Sequence, residues 1–153
     1  MRSFSHFYAI LAIAAAVCMS AVAKWSMASA QQAAPSQEVE RGKYLANEVA
    51  KCTECHTPRD KNNQLDPDRW LQGAPIWIKP VMETHNWADS APRLAGLSNY
   101  TDAQVERVLE KGEGVTGLPI LPPMHIYHMR PEDARAIIAY LRSLNGSEGI
   151  QKP

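Results

Sequence analysis

The sequence predicts an all-α domain of three main helices joined by long loops that wrap one covalently held group. Three observations carry this prediction. Helical hydrophobic spacing recurs in only three stretches, near residues 36–50, 101–112 and 131–145. Between the first and second lies a long aperiodic segment, a length that a compact domain tolerates when the loop is functional or wraps something. At the end of the first stretch stands Cys52-Thr53-Glu54-Cys55-His56, two thiols three residues apart with an imidazole directly behind them. That spacing matches the attachment pattern of haem c. The thiols can add to the two vinyl groups of one porphyrin, and the adjacent His then falls under the iron as proximal ligand. A thioredoxin-like redox pair and half of a zinc site are the other readings. The sequence has no second metal-binding Cys pair and no βαβ pattern around the motif.

At 153 residues the chain is one domain plus a little more. Two of the 16 basic residues, Arg2 and Lys24, and none of the 16 acidic ones lie in the first thirty positions, so the remainder carries a net charge of −2. Without a basic run or a recognition motif, nucleic-acid binding is excluded as a function class. Of the three cysteines Cys18 lies in the leader, so thioether formation at Cys52 and Cys55 leaves no disulfide. A covalent haem then supplies the staple and core filling that a small domain lacks.

Residues 1–30 read as a secretory signal peptide: Arg2 in the charged region, Tyr8–Val17 as the apolar region, and Ala28-Ser29-Ala30 as a small-residue cleavage site before Gln31. Ala21-Val22-Ala23 offers an earlier site, before Lys24. An uncleaved membrane anchor is the alternative, since the apolar stretch is nearly long enough to span a bilayer. Either way the domain is exported, which places it in the periplasm, where haem c attachment occurs. Residues 31–37 form a polar linker, 38–147 the domain, and 148–153 a C-terminal tail.

The first helix is expected from Ser36, as N-cap, to Ala50, with Glu38 and Glu40 near its positive end. Val39, Gly42, Leu45, Ala46 and Val49 form its buried stripe, and Gly42, a poor helix former, is expected to admit another backbone. Five prolines (Pro58, Pro67, Pro75, Pro80 and Pro92) break the segment that follows. Trp70, Trp77 and Trp87 bring apolar area there, and an indole N–H among them is a candidate donor to a haem propionate. Thr101-Asp-Ala-Gln104 is a capping-box signature opening a helix that carries Val105, Val108 and Leu109 inward and stops at Gly112. Pro131 suits the first position of the last helix, Glu132 and Asp133 its positive end, and Asn145-Gly146 its close. Ala134, Ile137, Ile138, Leu141 and Leu144 form its inward stripe.

An iron held by one His needs a sixth ligand, and Met124 is the candidate. It follows Pro122-Pro123 on a loop ahead of the last helix, 68 residues after His56. A thioether is a soft, neutral ligand that favours ferrous iron and raises the potential. Met129 is its rival, Met82 lies in the wrong segment, and His85, His125 and His128 would allow bis-His ligation.

The order of these features resembles the class I cytochrome c fold over roughly residues 38–145. The likeness rests on Arg41-Gly42-Lys-Tyr44 ahead of Cys52-x-x-Cys55-His56, then Pro92-Arg-Leu94-Ala-Gly96-Leu97, Pro123-Met124, and Glu132-Asp133…Ala139-Tyr140-Leu141. The resemblance implies that the first and last helices cross at Gly42 against Tyr140 and Leu141. It implies that the Pro92 carbonyl receives the His56 Nδ1–H, that Leu94 presses on the haem face, and that Met124 is the distal ligand. The phrases Tyr100-Thr-Asp-Ala-Gln104 and Arg130-Pro-Glu-Asp133…Ala139-Tyr-Leu-Arg142 are similar to small exported monohaem cytochromes that accompany periplasmic dehydrogenases. This implies an electron carrier, not an enzyme, bearing one covalent haem c. Its implied partners are a periplasmic dehydrogenase and a downstream oxidase or cytochrome. A peroxidase-like or sulfur-oxidising haem enzyme and a haem sensor with a labile Met are the alternatives. The 35 residues between His56 and Pro92 exceed the length in mitochondrial-type carriers and are a candidate docking surface.

Overall fold

The computed structural model describes residues 37–144, so the leader, the linker, the Ser36 cap, the Asn145-Gly146 close and the tail lie outside the described residues. Helix α1 covers residues 37–44 and continues through one widened π-turn, Leu45–Val49, closed by the Ala50 N–H on the Leu45 carbonyl at 2.8 Å. That extra residue per turn shifts the helix face. Ala46 and Ala50 are buried, whereas Val49, expected inward, is 55% exposed. A straight 3.6-residue period cannot anticipate such a slip.

Lys51, in the left-handed region at φ 52°, reverses the chain into α2, Cys52–His56, a single helical turn beyond the three main helices expected. The next 35 residues are mostly loop, with a 3₁₀ turn at Pro67–Arg69 and an antiparallel pair of two-residue strands, β1 (Ala74–Pro75) with β2 (Ser90–Ala91). Buried Thr57 organises this stretch by accepting the Leu71 N–H at 3.0 Å. The Leu71 carbonyl in turn receives the N–H groups of Leu94 and Ala95. The loop is thereby stitched to the segment after Pro92.

Helix α3, Asp102–Lys111, forms as its sequence directs. Thr101 accepts the Gln104 N–H, the Gln104 side chain accepts the Thr101 N–H, and Gly112 ends the helix at φ 71°. Helix α4, Pro131–Ser143, packs beside α3 and against the π-turn of α1. Ala134, Ile137, Ile138 and Leu141 are buried as their spacing requires, and Leu71, Leu97, Ile137 and Leu141 are the largest apolar side chains that are fully buried. The α1–α4 crossing is closest at Gly42, where a Cβ would collide with the Ala136 backbone carbonyl and sit 2.9 Å from Tyr140 Cβ. No helix among the described residues is long and apolar enough to cross a membrane.

Candidate haem-binding site

Helix α2 presents Cys52, Cys55 and His56 to one cleft of about 500 Å³. Both thiols are free. Its apolar walls include Leu97, Val105, Val108 and Leu109 from one side and Ile137 and Leu141 from α4. Met124 and Leu121 line it from the loop ahead of α4, and Pro92 and Leu94 from the segment after β2. All six residues singled out in the sequence, Cys52, Cys55, His56, Pro92, Leu94 and Met124, therefore converge on this cleft. Elements some 70 residues apart in sequence meet there because α4 packs against both α3 and the π-turn of α1.

His56 is buried, and its Nδ1 lies 2.7 Å from the Pro92 carbonyl. With Nδ1–H donating to that oxygen, Nε2 is left for a metal, and the ring cannot swivel. Burial lowers the His56 pKa below its ordinary value, against a smaller upward pull from the Pro92 carbonyl, which favours the neutral ring a metal requires. Burial pushes the Cys52 thiol up to about 11 and raises Cys55 as well, as expected of sulfur in apolar surroundings. A zinc reading of the thiols finds no support, since among the described residues no group of three or more His, Cys, Asp or Glu side chains is placed to hold a metal ion between them. A thioredoxin scaffold would need a sheet far larger than the β1–β2 pair.

The rival ligands separate. Met129 packs against the hydrophobic core and does not line the cleft, and Met82 is 79% exposed in the long loop. His85 and His128 are exposed and do not line the cleft. His125 does line it, beside Met124, with its ring edge-on to Tyr127 at 5.1 Å.

The tryptophans depart from expectation. Trp70 Nε1 donates to the Tyr140 hydroxyl at 3.3 Å and Trp87 Nε1 to the Ile78 carbonyl at 3.2 Å. Trp77 is exposed under the Arg59 guanidinium, and none of the three lines the cleft. Two indole donors are therefore already satisfied within the loop and the core, because a half-buried N–H takes the nearest acceptor.

Sequence reasoning missed several contributors. Ile76, Ala88, Ser90 and Ala91 give the long loop a wall of the cleft. Tyr100 and Tyr127 line it too, and Tyr127, an aromatic three positions past Met124, was a legible signal. Arg142 lies outside the cleft, yet its guanidinium donates to the carbonyls of Gly96, Leu97 and Tyr100 and to the Asp102 carboxylate. It thereby ties α4 to the segment that carries Pro92 and Leu94.

The fit of a covalent porphyrin is thus specific: two free thiols one turn apart, an oriented imidazole, a thioether and apolar walls around one cleft. Comparison with known proteins agrees. The cytochrome c family model matches residues 39–145. The chain is 50% identical over 120 residues to a protein of Cereibacter sphaeroides named diheme cytochrome c-type, covering 72% of this chain and 37% of that one. It is 30% identical over 111 residues to the fructose dehydrogenase cytochrome subunit of Gluconobacter japonicus, covering 68% of this chain and 21% of that one. It is also 30% identical over 121 residues to the cytochrome c subunit of a quinone alcohol dehydrogenase of Gluconobacter oxydans, covering 70% and 24% respectively. The chain therefore spans between about a fifth and under two fifths of the length of these relatives. A helical frame, an attachment motif on its own helical turn and a family match across the described core lead to one conclusion: this chain belongs to the cytochrome c family, whose members carry covalent haem c.

Proposed function

We propose that the chain is a periplasmic one-electron carrier with one haem c, held by thioethers from Cys52 and Cys55 and ligated by His56 and Met124. The observation that carries this reading is the shared cleft, with the oriented His56 imidazole and Met124 both on its walls. Bound haem supplies a ferric–ferrous couple, and a Met/His ligand pair raises its potential. The chain's own residues hold that couple still. The Pro92 carbonyl fixes the His56 ring, Leu94 and Leu97 close the apolar wall beside it, and α3 and α4 keep water from the interior face. One Cys-x-x-Cys-His motif stands in this sequence, which supports one haem here although one relative is named diheme.

Two relatives are named as cytochrome subunits of dehydrogenases, which supports a dehydrogenase as electron donor; the acceptor in this reading is a downstream oxidase or cytochrome of the respiratory chain. The leader-like first thirty residues support export to the periplasm. Val115 and Leu121 line the cleft and are exposed, and Leu118 and Ile126 are exposed in the same loop region. A partner meeting this edge meets apolar side chains and not a ring of lysines. Rates of electron transfer with the physiological partner are therefore expected to vary weakly with ionic strength.

The test is an optical spectrum of the matured protein. Ferric haem ligated by Met shows a weak far-red charge-transfer band, and Met124→Ala should abolish it. Loss of the band in Met129→Ala, with retention in Met124→Ala, would overturn the ligand assignment.

A further inference from the structure

Residues 123–128 form an arc that carries Met124 between two backbone anchors. Before it, the Pro122 carbonyl accepts the Ala88 N–H at 2.7 Å; after it, the Met129 N–H donates to the Leu109 carbonyl at 3.0 Å. Within the arc the Met124 N–H reaches only the local Leu121 carbonyl, at 3.3 Å. Burial does little to hold it, because His125, Ile126 and His128 are exposed. Among the described residues, one long-range hydrogen bond arises inside the arc: the Tyr127 hydroxyl donates to the Ala50 carbonyl at 2.7 Å. Ala50 is buried and lies two residues ahead of Cys52, and Ala50, Cys52, Met124 and Tyr127 all line the cleft.

We propose that Tyr127 is a positioning residue that latches the Met124 arc to the shoulder of the attachment helix and so controls how readily Met124 leaves the iron. The proposal rests on the ligand assignment above. Tyr127 bridges the two parts of the chain that must stay opposed for both ligands to reach one metal. Without its bond, six residues with little buried surface would be held only at their ends. A half-buried hydrogen bond of this kind shifts an opening equilibrium by about five- to ten-fold. Burial also pushes the Tyr127 hydroxyl up to about 12, so it remains a donor at any ordinary pH.

The experiment measures the rate at which cyanide displaces the Met ligand of the ferric, fully matured protein, followed through the far-red band. Tyr127→Phe keeps the ring and removes the donor, and should raise that rate about five- to ten-fold. Trp70→Phe is the matched control. It removes another long-range, half-buried side-chain bond, to Tyr140, from a residue that does not line the cleft. It should leave the rate unchanged while thermal stability falls. Replacement of Tyr127 by 3-fluorotyrosine, a stronger donor of nearly the same shape, should slow displacement. An unchanged rate in Tyr127→Phe, or an equal rise in Trp70→Phe, overturns the latch and leaves only a general effect on stability. Should Met124→Ala retain the far-red band, the ligand assignment fails instead. Band loss in Met124→Ala without a rate change in Tyr127→Phe refutes the latch alone.

Discussion

Replacing Gly42 with alanine tests the crossing of α1 and α4. In an isolated helix the change would stabilise by about 1 kcal/mol, because alanine has the better helix propensity. Here the new methyl would collide with the Ala136 carbonyl and lie 2.9 Å from Tyr140 Cβ, so backbone must move and not merely a side-chain tip. Overpacking of this kind costs about 3 kcal/mol at the upper end of its usual range. The net expectation is a loss of about 2 kcal/mol, which for a domain of this size lowers Tm by about 10 °C. Tyr140 is the second casualty, since its hydroxyl accepts from both Asn47 Nδ2 and Trp70 Nε1, each at 3.3 Å. The assay is thermal and urea unfolding of the matured protein, followed by far-ultraviolet circular dichroism. A Gly42→Ala protein as stable as the parent, or more so, would refute the claim that this glycine is required by a backbone-to-backbone contact.

Other expectations are more local. Arg142→Met removes the donors to Gly96, Leu97 and Tyr100 and the ion pair with Asp102, and should cost about 2–3 kcal/mol in urea unfolding. Arg142→Lys should recover only part of that loss, because an ammonium cannot span the same fan of acceptors. Thr57→Val leaves the buried Leu71 N–H without its acceptor and should destabilise by about 1–3 kcal/mol, whereas Thr57→Ser should be far milder. Thr101→Ala breaks the capping box of α3 and should cost about 1 kcal/mol, with haem content and the far-red band unchanged.

The legibility of this chain follows the range of its interactions. Helices α3 and α4 were readable because their signals are local: a Thr–Gln capping box, a proline at the first turn, and apolar residues at helical spacing. The Cys-x-x-Cys-His pattern was visible for the same reason, since its two thiols and imidazole lie within five consecutive residues. Pro92 and Leu94 were reached through the order of motifs along the chain, and the 2.7 Å approach of the Pro92 carbonyl to His56 Nδ1 gives that ordering a geometry. The inward turn of Val49 failed because one added residue in the π-turn rotates the face. The indole expectation failed for Trp70 and Trp87 because a donor's partner depends on which acceptor folding brings near, and composition is silent on that.

Sequence by itself therefore indicated the three main helices, a candidate anchor for a cofactor and a short set of ligand candidates, all properties of contiguous residues. Only tertiary structure places Met124 on the cleft and Met129 off it, although they stand five positions apart on one loop. The Met129 N–H is bound to Leu109 and its side chain packs on the core, while Met124 faces the cleft with His56. It likewise decided that the long loop builds a wall, through the Ala88 N–H on the Pro122 carbonyl, and that Tyr127 reaches back to Ala50. These contacts join residues tens of positions apart. Their pairing depends on how the packed helices place the loops, which no local periodicity encodes.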